Sequence, residues 1–151
     1  MVARWLMNLR VFLVWLLGFA LAMVILILWH ELVMVFVINT LRLGENIIPL
    51  IHILYYLLAG LLWFVFFLIS MEYLKRSARK GMLLRGSLLV IGTQLLIIGF
   101  GQAGLTLYGY FPADQLGIIL IAAAGLLGAG MLFFARHIGK VQHRIWLNQQ
   151  N

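Results

Sequence analysis

Four unbroken apolar runs constrain this chain more than any motif in it. Each has about the 20 residues that a helix needs to cross a bilayer. They cover about 11–30 (from Val11), 49–71 (from Pro49), 87–108 and 116–135. Continuous apolar character, rather than alternation, predicts helices and not barrel strands. Proline is acceptable in the first turn of a helix, so Pro49 does not break the second run. Composition agrees. Of 151 residues 65% are hydrophobic and 10% charged, against roughly 45–50% and 25% in soluble domains. A water-soluble fold of this length could not hide so much apolar surface. The expected architecture is a single all-α integral membrane domain, a four-helix bundle.

The basic residues set its expected orientation. Arg4 and Arg10 precede the first run. Lys75, Arg76, Arg79, Lys80 and Arg85 fall in the connection 75–86, and Arg136, Lys140 and Arg144 in the tail 136–151. That places ten of the eleven Lys and Arg on one side, with Arg42 alone on the other. By the positive-inside rule both termini are expected in the cytoplasm, with the chain in the inner (plasma) membrane. The formal charge of +7 then reads as a topology signal, and nucleic acid is not an expected partner. The five basic residues of the 75–86 connection suit anionic lipid head groups. Ala20-Leu21-Ala22 looks like a signal-peptide cleavage site, but the apolar run continues through Met23-Val24-Ile25, so an uncleaved first span is expected. The chain has no cysteine, which removes disulfides, thiolate nucleophiles and iron–sulfur ligation.

Residues 99–104 read GFGQAG, the spelling of a dinucleotide-binding turn. That motif requires a strand before it and an acid about 20 positions on. Here it sits within an apolar run, and the next acid, Asp114, is too close. The glycines are expected to serve helix packing instead, where small residues let backbones approach. Gly99, Gly101 and Gly104 in the third run, with the small-xxx-small pairs Ala124/Gly128 and Gly125/Ala129 in the fourth, predict tight contact of these two helices with each other or with a partner.

Polar residues within the apolar zone are the candidates for chemistry. Gln102 and Thr106 share a helix face, and Gln94 lies about 80° round from Gln102. Such amides serve as bonds between helices or as a polar lining for a ligand such as a quinone head group. His30, Glu31 and His52 stand with Trp29, Tyr55 and Tyr56 in what reads as an interfacial aromatic belt. The sharper reading is haem, with His30 and His52 as axial ligands, which requires matching depth. Should the first helix continue through Leu32–Ile38, His30 lies about six residues, roughly 9 Å, deeper than His52. The segment 32–48 reads either as that continuation or as an interfacial piece. Glu72 precedes Arg76 by four, the favoured order for an ion pair. No acid or base lies at the centre of a run, which disfavours a pump or proton-coupled transporter. The sequence gives no metal cluster and no nucleophile–base pair, so no enzyme is expected.

In layout the chain resembles the PsiE-like phosphate-starvation-inducible membrane proteins, which are short four-span chains. The matching pieces are His30-Glu31, Leu84-Arg85 with Ile91-Gly92-Thr93, Asp114 and the basic tail from Arg136. The resemblance implies the architecture and no particular activity or catalytic residue.

The expected function is therefore a small non-catalytic subunit that packs in and stabilises a larger membrane complex, of the electron-transport or photosynthetic kind. Its expected partners are the bilayer, other membrane subunits, and structural lipid or pigment. The alternatives are a haem- or quinone-binding electron-transfer subunit, through His30, His52, Gln94 and Gln102, and a small oligomeric transporter or stress-related membrane protein. The sequence does not fix a cofactor.

Overall fold

The structure is a computed structural model and describes residues 2–41, 46–109 and 115–148. Arg42 and Asp114 lie outside the described residues, as do the side chains of Arg4, Arg144 and Trp146. The regular elements are α1 (Val2–Phe36), continued by a π-helical turn (Val37–Leu41), α2 (Ile48–Arg79), α3 (Leu83–Leu107) and α4 (Gln115–Asn148). Each of the four α-helices contains a stretch long and apolar enough to cross a membrane. The protein is an all-helical chain of the multi-pass membrane type.

The helices outrun the apolar stretches that predict them. Of the two readings of 32–48, continuation holds as far as Leu41. At the other ends, α2 runs on through the basic residues to Arg79, and α4 through those of the tail. Two left-handed glycines stop the chain. Gly81 has φ +70°, with its N–H donating to Ala78 O (3.0 Å) and the Met82 N–H to Ser77 O (2.8 Å). That double bond is the Schellman stop, which satisfies the last carbonyls of a helix and needs a residue without Cβ. The connection to α3 is consequently a three-residue turn. Gly109, φ +75°, stands just past the end of α3 and donates to Thr106 O at 3.0 Å.

Packing centres on α3. Helices α1, α2 and α3 pack mutually, whereas α4 packs on α3 alone among the described elements. The arrangement is a three-helix cluster with a fourth helix laid on its central member. The basic ends of all four helices gather at one end of the molecule, where Arg85 of α3 meets Gly139 of α4 and Val11 of α1 packs with Leu74 and Ala78 of α2.

The glycines divide between two faces of α3. Gly92 and Gly99 face α4. A Cβ on Gly92 would stand 3.1 Å from the Gly128 carbonyl oxygen, and one on Gly99 would stand 3.4 Å from the Gly125 nitrogen and 3.7 Å from the Ala124 Cβ. Gly101 and Gly104 face α1 instead, where Leu28 and Trp29 cover the first and Leu32 the second. The sequence led us to expect the third and fourth helices to pack on each other or on a partner; Gly99 lies against α4, and Gly101 and Gly104 add a contact with α1. Residues two apart on a helix point in nearly opposite directions, so Gly99 and Gly101 cannot share a neighbour. In α4 the pair Ala124/Gly128 forms the seam, while Ala129 is exposed and a Cβ on Gly125 would enter open space.

Gly128 and Gly130 offer a controlled comparison. A Cβ at Gly128 would stand 2.8 Å from Gly92 O and 2.9 Å from Leu96 N, both backbone, whereas one at Gly130 would meet nothing within 4 Å. Gly128→Ala should destabilise the protein by about 1–3 kcal/mol through overpacking. Gly130→Ala should be neutral or stabilising by up to about 1 kcal/mol, from helix propensity. Thermal unfolding of both variants in detergent checks the contrast.

Candidate functional site

At the end of the molecule opposite the basic residues, α1 and α2 are joined by a cluster of polar aromatic side chains. His30 Nε2 and His52 Nδ1 stand 2.7 Å apart, within hydrogen-bond distance. His30, 6% exposed, stacks on Tyr56 with ring centroids at 4.8 Å and meets Tyr55 edge-on at 5.1 Å. The Tyr55 hydroxyl donates to Leu26 O of α1 at 2.8 Å. Glu31 Oε1 lies 3.5 Å from His30 Nδ1, its carboxylate largely in the open. A carboxylate only accepts, so it favours the His30 tautomer protonated on Nδ1, leaving Nε2 to accept from His52 Nδ1–H.

The two histidines thus share a depth, even though α1 continues well past His30. Helix rise explains this. Eleven residues separate His30 from the end of the π-turn and four separate Ile48 from His52, so α2 begins about 10 Å nearer the middle of the molecule than α1 ends. The depth offset anticipated for a continuous first helix is therefore absent. The haem geometry is not met either. Two nitrogens sharing one metal ion across a porphyrin stand about 4 Å apart, twice a metal–imidazole bond; these are in direct contact. Among the described residues no group of three or more His, Asp and Glu is placed to hold a metal.

The second place is a slit between α1 and α2, backed by α3. Toward the basic end it abuts the Val11–Leu74–Ala78 cluster, against which Trp15 and Val90 pack; toward the histidine pair it is lined by Leu26, whose carbonyl accepts from Tyr55. Two stripes at helical spacing face each other across it: Trp15, Gly18, Phe19 and Ala22 from α1, and Trp63, Phe66, Phe67 and Ser70 from α2. Trp15 and Phe67 are in contact, ring centroids at 4.3 Å. Phe67 also meets Phe19 edge-on at 5.2 Å. Gly18 and Ala22 are small, which leaves space between the aromatic rings.

Gln94 of α3 forms the back wall. Only 2% exposed, its Nε2 donates to Gly18 O at 2.9 Å, a bond between helices. An amide nitrogen must face that carbonyl, which fixes the orientation of the side chain and leaves Oε1 buried with no partner. The Trp15 indole Nε1 is likewise buried and unpartnered. Gln102, proposed from sequence as a companion of Gln94, does not line this cavity. Its Oε1 is a buried atom without a partner elsewhere on α3, while its backbone carbonyl accepts from the Thr106 hydroxyl at 3.0 Å. Sequence reasoning missed Trp15, Gly18 and the α2 stripe. Their i, i+3, i+4, i+7 spacing was the available signal, hidden because every neighbour is also apolar.

At the basic end, Lys75, Arg76, Arg79 and Lys80 are exposed, with Arg76 Nε donating to Glu72 Oε1 at 2.9 Å. Arg85 differs from the other four. Its guanidinium lies across Gly139 of α4, where a Cβ would stand 2.8 Å from Cζ, and its Nε is buried without a partner. Part of its role is therefore packing α3 on α4.

No family model, curated protein or solved structure matches the chain. The site must be read from its own geometry.

The His30–His52 bond can be measured directly. His30→Phe and His52→Phe should each cost about 1 kcal/mol, with a coupling of about 0.5–1.5 kcal/mol in a double-mutant cycle. Reversible unfolding in mixed micelles reads the cycle; additive losses would show that the two rings share no bond.

Proposed function

We propose that this protein is a small non-catalytic subunit of a larger membrane protein complex. In this reading it is held in the inner (plasma) membrane with both termini cytoplasmic. The observation that carries the reading is the state of α4. Among the described elements it rests on α3 alone, and on the side away from that seam, next to the exposed Ala129, a Cβ on Gly130 would meet no described atom within 4 Å. In a bilayer, where helices associate through close packing rather than through the hydrophobic effect, small residues are the means of approach. A helix from another subunit fits that face. The Ala124/Gly128 side of α4 is already engaged, so the free side is a second, separate packing face.

The electron-transfer alternative has less support. The histidine pair is in contact rather than spaced for an iron, and Gln94 and Gln102 do not converge on one cavity. A transporter lacks a charged group along its interior. Likeness to the PsiE-like proteins would agree with the subunit reading, since it carries architecture and no activity.

Two measurements test the proposal. Tagged protein extracted from its own membrane in mild detergent should run in an assembly of fixed composition, with partners identified by mass spectrometry; a small homo-oligomer would end the subunit reading. For orientation, the absence of native cysteine permits single-cysteine labelling. Asn46→Cys should react with an impermeant thiol reagent on intact cells, and Lys80→Cys only after lysis.

A further inference from the structure

Helices α1 and α2 are fastened to α3 at opposite ends. Helix α1 meets it near the histidines, where Leu28 and Leu32 cover Gly101 and Gly104 and the Trp29 indole N–H reaches Ile97 O at 3.4 Å. Helix α2 meets it at the basic end, where Ser77 lies so close to Gly86 that a Cβ there would stand 2.9 Å from it. Near its start α2 is bonded to α1, by the histidine pair at 2.7 Å and by the Tyr55 hydroxyl on Leu26 O at 2.8 Å. Of these two bonds only the first is between groups that change charge in mild acid.

The groups facing the pair define how it takes up protons. From α1 comes Glu31, with a carboxylate oxygen 3.5 Å from His30 Nδ1. From α2 come Tyr55 and Tyr56, in ring contact with His30. The described titratable groups of α3 are Arg85, at the basic end, and Tyr108, just past its last turn. Arg42 and Glu45 lie outside the described residues. With Glu31 accepting from Nδ1–H, His30 Nε2 is the acceptor of the bond and His52 Nδ1–H the donor. His52 Nε2 is then the free lone pair of the chain.

A first proton goes to that lone pair, because His52 is only half-buried while His30 is 6% exposed. It strengthens the bond: the donor is now an imidazolium, and a charge-assisted hydrogen bond is roughly twice as strong as a neutral one. A second proton finds one lone pair left, His30 Nε2, which is the acceptor itself. Taking it sets two cationic donors against each other at a separation of 2.7 Å, and the rings must part. We propose that the His30–His52 pair is an acid-operated latch, which releases the start of α2 from α1 when both rings are protonated. Helix α2 then pivots on its fastening to α3 at the basic end, and the slit widens beside Leu26, Gly60 and Phe64.

The sign follows from proton counting. The closed pair holds one extra proton and the parted rings two, so acid favours the parted form. Histidine ordinarily changes charge between about pH 5 and 8, and release belongs at the acid side of that range. In the orientation proposed above the pair faces the exterior and senses external pH. The latch itself depends on neither that orientation nor the subunit reading.

Distance measurement between spin labels tests the latch, and the absence of native cysteine makes the labelling clean. The full chain, in nanodiscs, carries labels at Ile27→Cys and Leu54→Cys, both exposed and near the pair. A control pair, Leu13→Cys and Ile69→Cys, is exposed toward the basic end. Between about pH 7 and pH 4.5 the ratio of short to long distances at the first pair should fall about fivefold or more, the change that one hydrogen bond gives. The control pair should not change. His52→Gln should abolish the acid step, because an amide donates to a neutral His30 Nε2 and accepts from a protonated one, while Glu31 stays in place. Where that variant fails to fold, His30→Phe, which retains a ring against Tyr56, should give a ratio independent of pH. A wild-type ratio that is constant with pH would overturn the proposal. So would an acid step that persists in either variant, or one of equal size at the control pair.

Discussion

The contact between α3 and α4 at Gly92 and Gly128 sets the terms for the rest of the molecule. In a bilayer, lipid is as apolar as leucine, so one greasy helix gains nothing merely by hiding against another. What holds such helices together is close backbone approach and the few polar bonds that cross between them. Helix α3 offers both. Its Gly92–Gly99 face admits α4, its Gly101–Gly104 face admits Leu28 and Leu32 of α1, and Gln94 bonds to Gly18 between those levels. Among the described elements, α4 without α3 would have no neighbour, and α1 and α2 would retain only each other.

Helices α1 and α2 meet in a different way. They are pinned near their ends, by the His30–His52 bond and Tyr55 on one side and by Val11, Leu74 and Ala78 on the other. Between the pins the small residues Gly18, Ala22 and Gly60 keep the aromatic rings from closing the gap. Small residues therefore have two opposite effects in one protein. Where a backbone faces them, as across the α3–α4 seam, they bring helices together. Where aromatic rings face them, as across the slit, they leave room.

Much of this was legible in the sequence. The length of each apolar run predicted the four helices, and the turn between α2 and α3 falls within the basic connection 75–86. The glycines of GFGQAG lie against two different helices, Gly99 against α4 and Gly101 and Gly104 against α1, where the sequence reading named the fourth helix or a partner. The spacing G-x-G held the answer, since two residues along a helix is more than half a turn; the motif is a mark of two-sided packing. The histidine pair was proposed on residue type, and its direct contact followed from something composition does not record, namely how far below the end of α1 the helix α2 begins.

The slit was not legible, and the reason is physical. Sequence periodicity reveals which side of a helix is inside when the other side must be polar. In lipid no such requirement holds: Leu62 and Leu68 are exposed and are as apolar as Phe67, which faces Trp15. Only a polar atom breaks that symmetry, because it alone is penalised for facing hydrocarbon. The amide of Gln94 is such a group in α3. Its bond to Gly18 O settles which side of α3 faces α1, but the partner is a backbone carbonyl, which carries no mark in the sequence, so the pairing exists only once the two helices lie side by side.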